Sequence, residues 1–357
     1  MSRGKFHSGT NSGGRGLRLV FVATALIAGV MAYWLFDRYG RFADEPVPGL
    51  QADASLVVAH GDNFASVLRK LHEQGMPADR DTEWQLLARQ LGAASRLQVG
   101  EYALRPGITP RRLLTDMRDG KVVRRRVTIV EGWTLRQLRA ALARAEVLEQ
   151  ETARLDDAAL MQALGHPGVH PEGRFLPETY FYTRGDSDLD LLRRAYDAMQ
   201  EALDAAWDSR VEGLPLRDKE EALVLASIVE KETGIASERP RIAGVFLRRL
   251  ELGMRLQTDP TVIYGMGEDY AGNIRRADLA RDTPYNTYTR AGLPPTPIAM
   301  PGADALQAVT HPAEGDALYF VAVGDGSGRH VFSNNLAEHQ AAVRAYLQRY
   351  RAQRRAE

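Results

Sequence analysis

The chain contains no cysteine, and its 357 residues carry as many basic as acidic side chains. Without cysteine there can be no disulfide, thiolate metal site or cysteine nucleophile, which suits an oxidising compartment without proving one. Lys and Arg total 46 and Asp and Glu total 46, so the formal net charge is zero. Because nucleic acids select basic protein surfaces, this balance argues against a nucleic-acid partner. The length allows two globular parts and a membrane anchor.

Signals for metal, phosphate or serine chemistry are weak. His166 and His170 are four residues apart, but Pro167 and Gly168 break any helix between them, so a shared metal-binding face is not expected. No serine lies in the G-x-S-x-G pattern of a nucleophile elbow. The GDGSG run at 324–328 separates two strand-like runs, which predicts a hairpin instead of a phosphate loop. We therefore expect neither a metal nor a cofactor.

A long apolar run near the N-terminus predicts a membrane anchor. Residues 19–36, LVFVATALIAGVMAYWLF, form 18 residues without a charge, close to the roughly 20 that span a bilayer as a helix. The basic residues before it predict that 1–18 is a cytoplasmic N-terminus and that the chain after Asp37 lies outside. A cleaved signal peptide is the alternative, but the run is longer than a usual signal core and no small-x-small cleavage pattern follows.

A linker and a small α+β module are predicted to follow the anchor. Residues 37–55 are rich in Gly, Pro and acids, as linkers are. Over 56–122, strand and helix patterns alternate, with helix stops at Gly92 and Gly120. The first helix of this module has one apolar face, formed by Phe64, Val67, Leu68 and Leu71.

A larger α+β domain is predicted over 127–350, so the overall fold class is α+β. Thr134 and Gln137 have the spacing of a capping box and predict the start of a helix. The remaining patterns predict four further helices, over 189–207, 216–233, 237–252 and 336–354.

Two acids, Glu230 and Glu232, lie near the end of a helix whose LVLASIV segment at 223–229 is apolar on every face. Carboxylates on a buried helix cost desolvation energy and are seldom kept without a partner or a purpose. Glu232 shares the face of Leu225 and Ile228, whereas Glu230 lies about 200° away around the axis. Only one acid is therefore expected to face a cleft. Glu232 is favoured, because a helix C-terminus raises the pKa of a carboxyl, as a general acid requires.

Both acids also have structural interpretations. Glu232 could pair with Lys231 or Arg239 at the helix end, since buried ion pairs perturb a pKa without any catalytic role. Glu230, the secondary catalytic candidate, could instead form an ion pair with Lys219 or Arg241.

Several segments of the chain resemble the MltG/YceG-like family of endolytic murein transglycosylases. The resemblance extends over nearly the whole chain after the linker. It implies that 56–122 is a LysM-like subdomain and that 127–350 is a YceG-like catalytic domain with a lysozyme-like helical catalytic segment. It also implies that Glu232 is the catalytic acid. The segments that carry it are IVEKET at 228–233, QTDP at 257–260, YNTYTRAGLPPTPIAMPG at 285–302 and LYFVA at 318–322.

Residues that would bind substrate are predicted in and after the QTDP segment. Gln257, Thr258 and Asp259 precede Pro260, which favours extended backbone at Asp259 and a rigid polar loop able to bind sugar hydroxyls. Asp259 could equally cap a helix that begins at Pro260. Further amide and aromatic side chains are of the types that line carbohydrate grooves, although aromatics also fill cores. These candidates are Tyr264, Asn286 and Tyr288.

The resemblance implies a single-pass inner-membrane lyase whose catalytic domain is periplasmic. Such an enzyme cleaves the MurNAc-β-1,4-GlcNAc bond of nascent peptidoglycan strands, leaves 1,6-anhydro-MurNAc ends and thereby terminates strand elongation. Association with peptidoglycan synthases is also implied. Two alternatives stay open: a two-carboxylate glycoside hydrolase that uses Glu232 with Asp259, and a non-catalytic peptidoglycan-binding scaffold. Whether the LysM-like module binds glycan or is only a spacer is equally open.

Overall fold

The computed structural model describes residues 13–51 and 54–356, which form an α+β architecture. Its strands are short and lie in antiparallel pairs, and most of the remaining regular structure is helical. The chain separates into two compact units, Met1–Val123 and Arg124–Glu357. This break lies between the predicted segments 56–122 and 127–350.

The first helix, α1 (Gly13–Asp44), contains the apolar run. Among the described residues, its stretch Arg18–Asp44 is the one helix long and apolar enough to cross a membrane, with a mean hydropathy of 2.2. The prediction of a linker over 37–55 is wrong for its first part, because α1 continues to Asp44. Phe42 and Ala43 are buried in the core of the first unit, and the Phe42 ring meets Trp84 edge-on at 5.6 Å. This burial stabilises helix where composition alone suggests a linker.

The rest of the first unit is a two-stranded sheet packed with three helices. Asn63 accepts a hydrogen bond from Ser66 N at 3.0 Å and caps the first of them, whose four predicted apolar residues are all buried. The last helix ends at Gly120, which has the positive φ of 66° that favours glycine. The elements are β1 (Ala54–Val58), α2 (Phe64–Glu73), α3 (Asp81–Gln90), β2 (Gly100–Leu104) and α4 (Pro110–Asp119), with β1 antiparallel to β2.

The second unit combines two antiparallel strand pairs with nine helices among the residues the structure describes. The predicted capping box of Thr134 and Gln137 is confirmed at the start of its first helix. The predicted hairpin around 324–328 is also confirmed. The strands are β3 (Arg125–Thr128) paired with β4 (Thr179–Tyr182), and β5 (Tyr319–Ala322) paired with β6 (His330–Ser333). The helices are α5 (Leu135–Leu142), α6 (Asp157–Ala163), α7 (Asp188–Asp208), α8 (Lys219–Glu232), α9 (Arg239–Glu251), α10 (Asp259–Met266), α11 (Arg276–Ala280), α12 (Ala303–Thr310) and α13 (Leu336–Ala356).

Helix α8 is the central helix of the second unit. Residues 222–229 are buried without interruption, as the all-round apolar pattern predicts. It packs against α7, α9 and α12. Asp218 caps its start by accepting a hydrogen bond from Glu221 N at 3.0 Å, and the backbone turns extended at Thr233. The two acids therefore lie where the core helix ends. Helix α9 begins at Arg239, two residues later than predicted, because a 3₁₀ turn at Ala236–Glu238 precedes it.

Candidate active site

The two acids of α8 point in different directions, as helix geometry predicts. The Glu232 carboxyl accepts a hydrogen bond from the Thr258 hydroxyl through Oε1. Glu230 is turned away: its Oε1 accepts from Arg239 Nη2 at 3.1 Å, and its Oε2 accepts from Gly302 N at 3.0 Å.

Glu230 belongs to a buried ion cluster centred on Arg239. That guanidinium also pairs with Glu131 at 3.1 Å and with Asp304 at 3.2 Å. Burial raises the pKa of Glu230, and the bonds from Gly302 N and Arg239 oppose the rise. Arg239 is thus occupied by other carboxylates, which removes the interpretation of Glu232 as its ion-pair partner.

The partners suggested for Glu230 from sequence are also wrong. Lys219 pairs with Asp204, and the Arg241 guanidinium lies 3.9 Å from the Phe332 ring centroid. Lys219 and Arg241 lie within about a dozen residues of Glu230 along the sequence, but the fold directs their side chains to other surfaces.

Glu232 opens into a cleft of about 470 Å³. One wall is polar and is formed by Gln257, Thr258, Asp259 and Tyr288. The other is largely apolar and comes from β5 and α13. Its residues are Tyr319, Phe320, Val321, Leu336, His339 and Val343.

The environment of Glu232 favours its protonated form. Burial raises the pKa of this carboxyl to about 7, the neighbouring negative charge of Asp259 adds to the rise, and the Thr258 hydrogen bond opposes it. A carboxylic acid with such a pKa keeps its proton close to neutral pH and can donate it. Because the Thr258 hydroxyl donates to Oε1, Oε2 is the oxygen left to carry the transferable proton.

The polar wall is held by threonines. Thr258 N donates to Thr287 Oγ1 at 3.1 Å, and Thr261 Oγ1 donates to the Thr258 carbonyl at 2.8 Å. Gln257 has a φ of 52°, which is unusual for a residue with a side chain. Such strain persists where the surroundings fix the backbone, and it recurs at functional sites.

The expected extended backbone lies one residue earlier than predicted. Thr258 is extended, with φ −117° and ψ 126°, whereas Asp259 is the first residue of α10. The Asp259 side chain does not cap the helix. Its Oδ1 accepts a hydrogen bond from Tyr288 Oη at 2.6 Å, so the carboxylate stays at the cleft.

The sequence model of the YceG-like family matches residues 56–345, most of the chain. This chain belongs to the YceG-like family. The endolytic murein transglycosylase of Bacillus subtilis (strain 168) is 29% identical over 327 residues, which cover 87% of this chain and 89% of that protein. The endolytic murein transglycosylase of Streptococcus pneumoniae serotype 2 is 29% identical over 284 residues, 70% of this chain and 51% of that protein.

A solved structure shares the fold of this YceG-like chain. The crystal structure of a YceG-like protein from Listeria monocytogenes matches with a TM-score of 0.50 and 27% identity, and the match covers 82% of this chain and 99% of that one. The resemblance read from the sequence is thereby confirmed at the level of the family. All the cleft residues named above lie within the matched range.

Two of the predicted substrate-binding residues of the YceG-like chain lie outside the cleft lining. Tyr264 Oη donates to Glu172 Oε2 at 3.1 Å. Asn286 is buried, and its Nδ2 donates to backbone carbonyls of the preceding loop, the shortest bond being 2.7 Å to Arg281 O. Amide and phenol groups form hydrogen bonds with buried polar groups of the protein as readily as with a sugar, so residue type alone does not separate the two roles.

Glu172 is another buried acid with a raised pKa, in addition to Glu230 and Glu232. Burial raises it to about 7, and the bonds from Leu135 N and Tyr264 Oη oppose the rise. The Leu135 bond, 2.9 Å long, holds the first residue of α5. Glu172 therefore joins α5 to α10 and does not line the cleft. It lies in the EGRFLPETY segment at 172–180.

Three further cleft residues were not singled out from the sequence. Arg249 of α9 is buried. Tyr319 stacks on His339 of α13, with ring centroids 5.0 Å apart. Tyr319 lies within the LYFVA segment, but α13 was predicted only as a helix over 336–354, and nothing in its sequence indicated a cleft wall.

Proposed function

We propose that this chain is an endolytic murein transglycosylase, a lyase that cuts the glycan strands of peptidoglycan internally. The observation that carries the proposal is the carboxyl of Glu232, which opens into the cleft with a pKa raised to about 7. The curated relatives described above bear that name. The polar wall suits sugar hydroxyl and acetamido groups, and the apolar wall suits the C–H faces of the rings.

The proposed reaction uses one protein acid and no water. Glu232 donates its proton to the oxygen between MurNAc C1 and GlcNAc C4, and the C1–O bond breaks. Glu232, now a carboxylate, takes the proton of the MurNAc C6 hydroxyl while that oxygen bonds to C1 of the same ring. The products are a 1,6-anhydro-MurNAc end and a free GlcNAc 4-hydroxyl. Because the attacking hydroxyl belongs to the substrate, proximity replaces activation of a water.

A two-carboxylate hydrolase is the second candidate, and one observation favours it. Asp259 is exposed at the cleft, and its charge contributes to the raised pKa of Glu232. A second carboxylate this close could activate water or attack C1. Against this role, Asp259 already accepts the 2.6 Å bond from Tyr288.

The product distinguishes the two reactions. Full-length protein in detergent, incubated with purified strands in H₂¹⁸O, is expected to release 1,6-anhydro ends that contain no ¹⁸O and are one water lighter than reducing ends. Mass spectrometry of the fragments measures both quantities. Reducing ends labelled with ¹⁸O would identify a hydrolase and make Asp259 its partner, and absence of any cleavage would leave the scaffold function.

The remaining assignments follow the family. We propose that residues 56–122 are a LysM-like subdomain and that the α8 region is a lysozyme-like catalytic segment. A membrane-anchored enzyme meets strands where they are made, which supports termination of elongation and an association with peptidoglycan synthases.

We further propose that the apolar part of α1 spans the inner membrane, with the N-terminus in the cytoplasm and the chain after Asp37 in the periplasm. The absence of cysteine makes this easy to test, because one introduced thiol is the only one in the chain. His60→Cys, at an exposed position of the first unit, is expected to react with a membrane-impermeant maleimide in intact spheroplasts. Ser8→Cys is the matched control and should react only after lysis. The reverse pattern would invert the topology.

A further inference from the structure

Arg249 is a buried cation in the cleft wall, and none of the described residues provides a buried counter-ion for it. The residue is only 7% exposed. Its Nε donates to Leu318 O at 2.7 Å, and its Nη1 donates to Leu256 O at 2.9 Å and Arg255 O at 3.0 Å. Within the described part of the chain, Nη2 makes no hydrogen bond and no carboxylate forms an ion pair with Arg249.

Arg239 shows what a structural arginine looks like in the same unit. It is 6% exposed, and three carboxylates surround its guanidinium. Since burial of an unpaired charge is unfavourable, buried arginines are normally neutralised in this way. Arg249 is equally buried but has only backbone carbonyls, the Gln257 amide oxygen at 3.5 Å and the Tyr319 ring at 5.0 Å. Its free edge therefore has unused capacity to bind an anion.

The free edge of Arg249 does not serve the catalytic acid. The groups that influence the pKa of Glu232 are Thr258 and Asp259, in addition to burial, and Arg249 is not among them. A guanidinium close to Glu232 would favour its ionised form and oppose its role as proton donor. Arg249 is thus placed to act on another part of a bound ligand in the cleft.

The substrate named under the proposed function, on which this inference rests, contains one suitable group. The two sugars of a glycan strand alternate, and they differ in the 3-O-lactyl group that muramic acid alone carries. That group ends in a carboxylate where no stem peptide is attached and in an amide carbonyl where one is. An enzyme that cuts one of the two alternating bonds must read this difference, and a guanidinium edge binds carboxylate and carbonyl oxygens well.

We propose that Arg249 Nη2 binds the lactyl oxygens of the muramic acid residue and so sets the register of cleavage. The acid then meets the bond on the C1 side of MurNAc, and the bond on the C1 side of GlcNAc is passed over. Arg249 has a second task in this arrangement, because its Nη1 holds the loop that carries Gln257 and Thr258.

The test compares two ligands on one protein. Full-length Glu232→Gln in detergent is titrated with peptide-free peptidoglycan oligosaccharides and with chitooligosaccharides of equal length, which lack the lactyl group. The lactyl ligand is expected to bind about tenfold or more tightly, as a charge-assisted bond to a buried guanidinium provides, and the preference should weaken with added salt. Equal affinity for the two ligands would overturn the proposal.

A second variant separates recognition from loop support. Adding Arg249→Lys keeps the charge but removes the planar fork, so binding of the lactyl ligand should weaken by more than binding of the chitooligosaccharide, which reports the loss of loop support alone. Equal weakening of both ligands would mean that Arg249 only holds the loop. Arg255→Lys, at an exposed position of the same loop, is the matched control and should keep the preference. If Arg249→Lys fails to fold by circular dichroism, the two-ligand comparison still decides. Cleavage by the unmodified enzyme is scored separately, so loss of the lactyl preference and loss of lyase activity are distinguishable results.

Discussion

Replacing Glu232 with Gln is expected to lower the rate of strand cleavage by about 10²- to 10⁴-fold, the usual cost of losing a general acid–base group. The amide keeps the shape of the side chain and can still accept the bond from Thr258, but it has no proton to donate. The residue acts in both proposed steps, so the loss should lie at the upper end of that range. Release of soluble fragments by full-length protein in detergent measures the rate.

Glu230→Gln is the matched control, two residues away on the same helix, and its effect on the rate should be clearly milder. Equal loss at both positions would contradict the assignment.

The pH dependence gives an independent readout: the rate of the unmodified enzyme should fall as pH rises through about 7, where Glu232 loses its proton. The free energy of unfolding should also depend on pH through Glu232. Since its folded pKa lies above the unfolded value, Glu232 destabilises the fold increasingly as pH rises from that value through 7. Glu232→Gln should therefore raise the Tm at pH 8 by more than at pH 5.

Arg239→Met is expected to destabilise the protein by about 3–5 kcal/mol, the typical cost of removing one partner from a buried ion pair. Most of this destabilisation should come from Glu230, because its carboxylate would be left buried without its ion-pair partner. Its side chain is 5% exposed and would keep only the hydrogen bond from Gly302 N. Glu131 and Asp304 are 47% and 72% exposed, so water can solvate them instead. Denaturant unfolding measures the free energy of unfolding.

The double variant Arg239→Met with Glu230→Gln should recover part of that loss, because it no longer buries an unpaired carboxylate. Arg241→Met, a surface cation two residues along the same helix, should cost far less. A loss below about 1 kcal/mol for Arg239→Met would be typical of an exposed pair and would show that the cluster contributes little to stability.

Local patterns predicted the elements of this fold where one strong signal dominated. The apolar face of α2, the glycine stop after α4 and the capping box of α5 are all confirmed, since each depends on residues within a few positions of one another. The end of α1 was missed because its helical state depends on burial of Phe42 against Trp84, a contact across 42 positions of sequence. Residue composition does not contain that information.

The site residues could also be predicted only where the signal was local. Helical periodicity was enough to separate Glu232 from Glu230, because both lie on one regular helix. Asn286 and Tyr264 were expected at the cleft because of their residue types. In the fold, Asn286 instead donates a hydrogen bond to a loop carbonyl, and Tyr264 donates one to the buried carboxyl of Glu172. Arg249 resembled its half-buried neighbour Arg248 in sequence. Its position in the cleft wall depends on carbonyls of the 255–256 loop and of Leu318, which only the tertiary structure brings together.

In the proposed topology, the uninterrupted helix α1 connects the membrane directly to the folded part of the first unit. Its part from Asp37 to Asp44 rises roughly 12 Å at 1.5 Å per residue, and this rise would then set the distance between that folded part and the bilayer. A flexible linker would absorb an extra residue, but one residue inserted near Arg38 would turn the folded part by about 100° and move it along the helix axis by about 1.5 Å. With the proposed anchor, the length of the helix and not the slack of a linker determines how far from the membrane surface this part can reach.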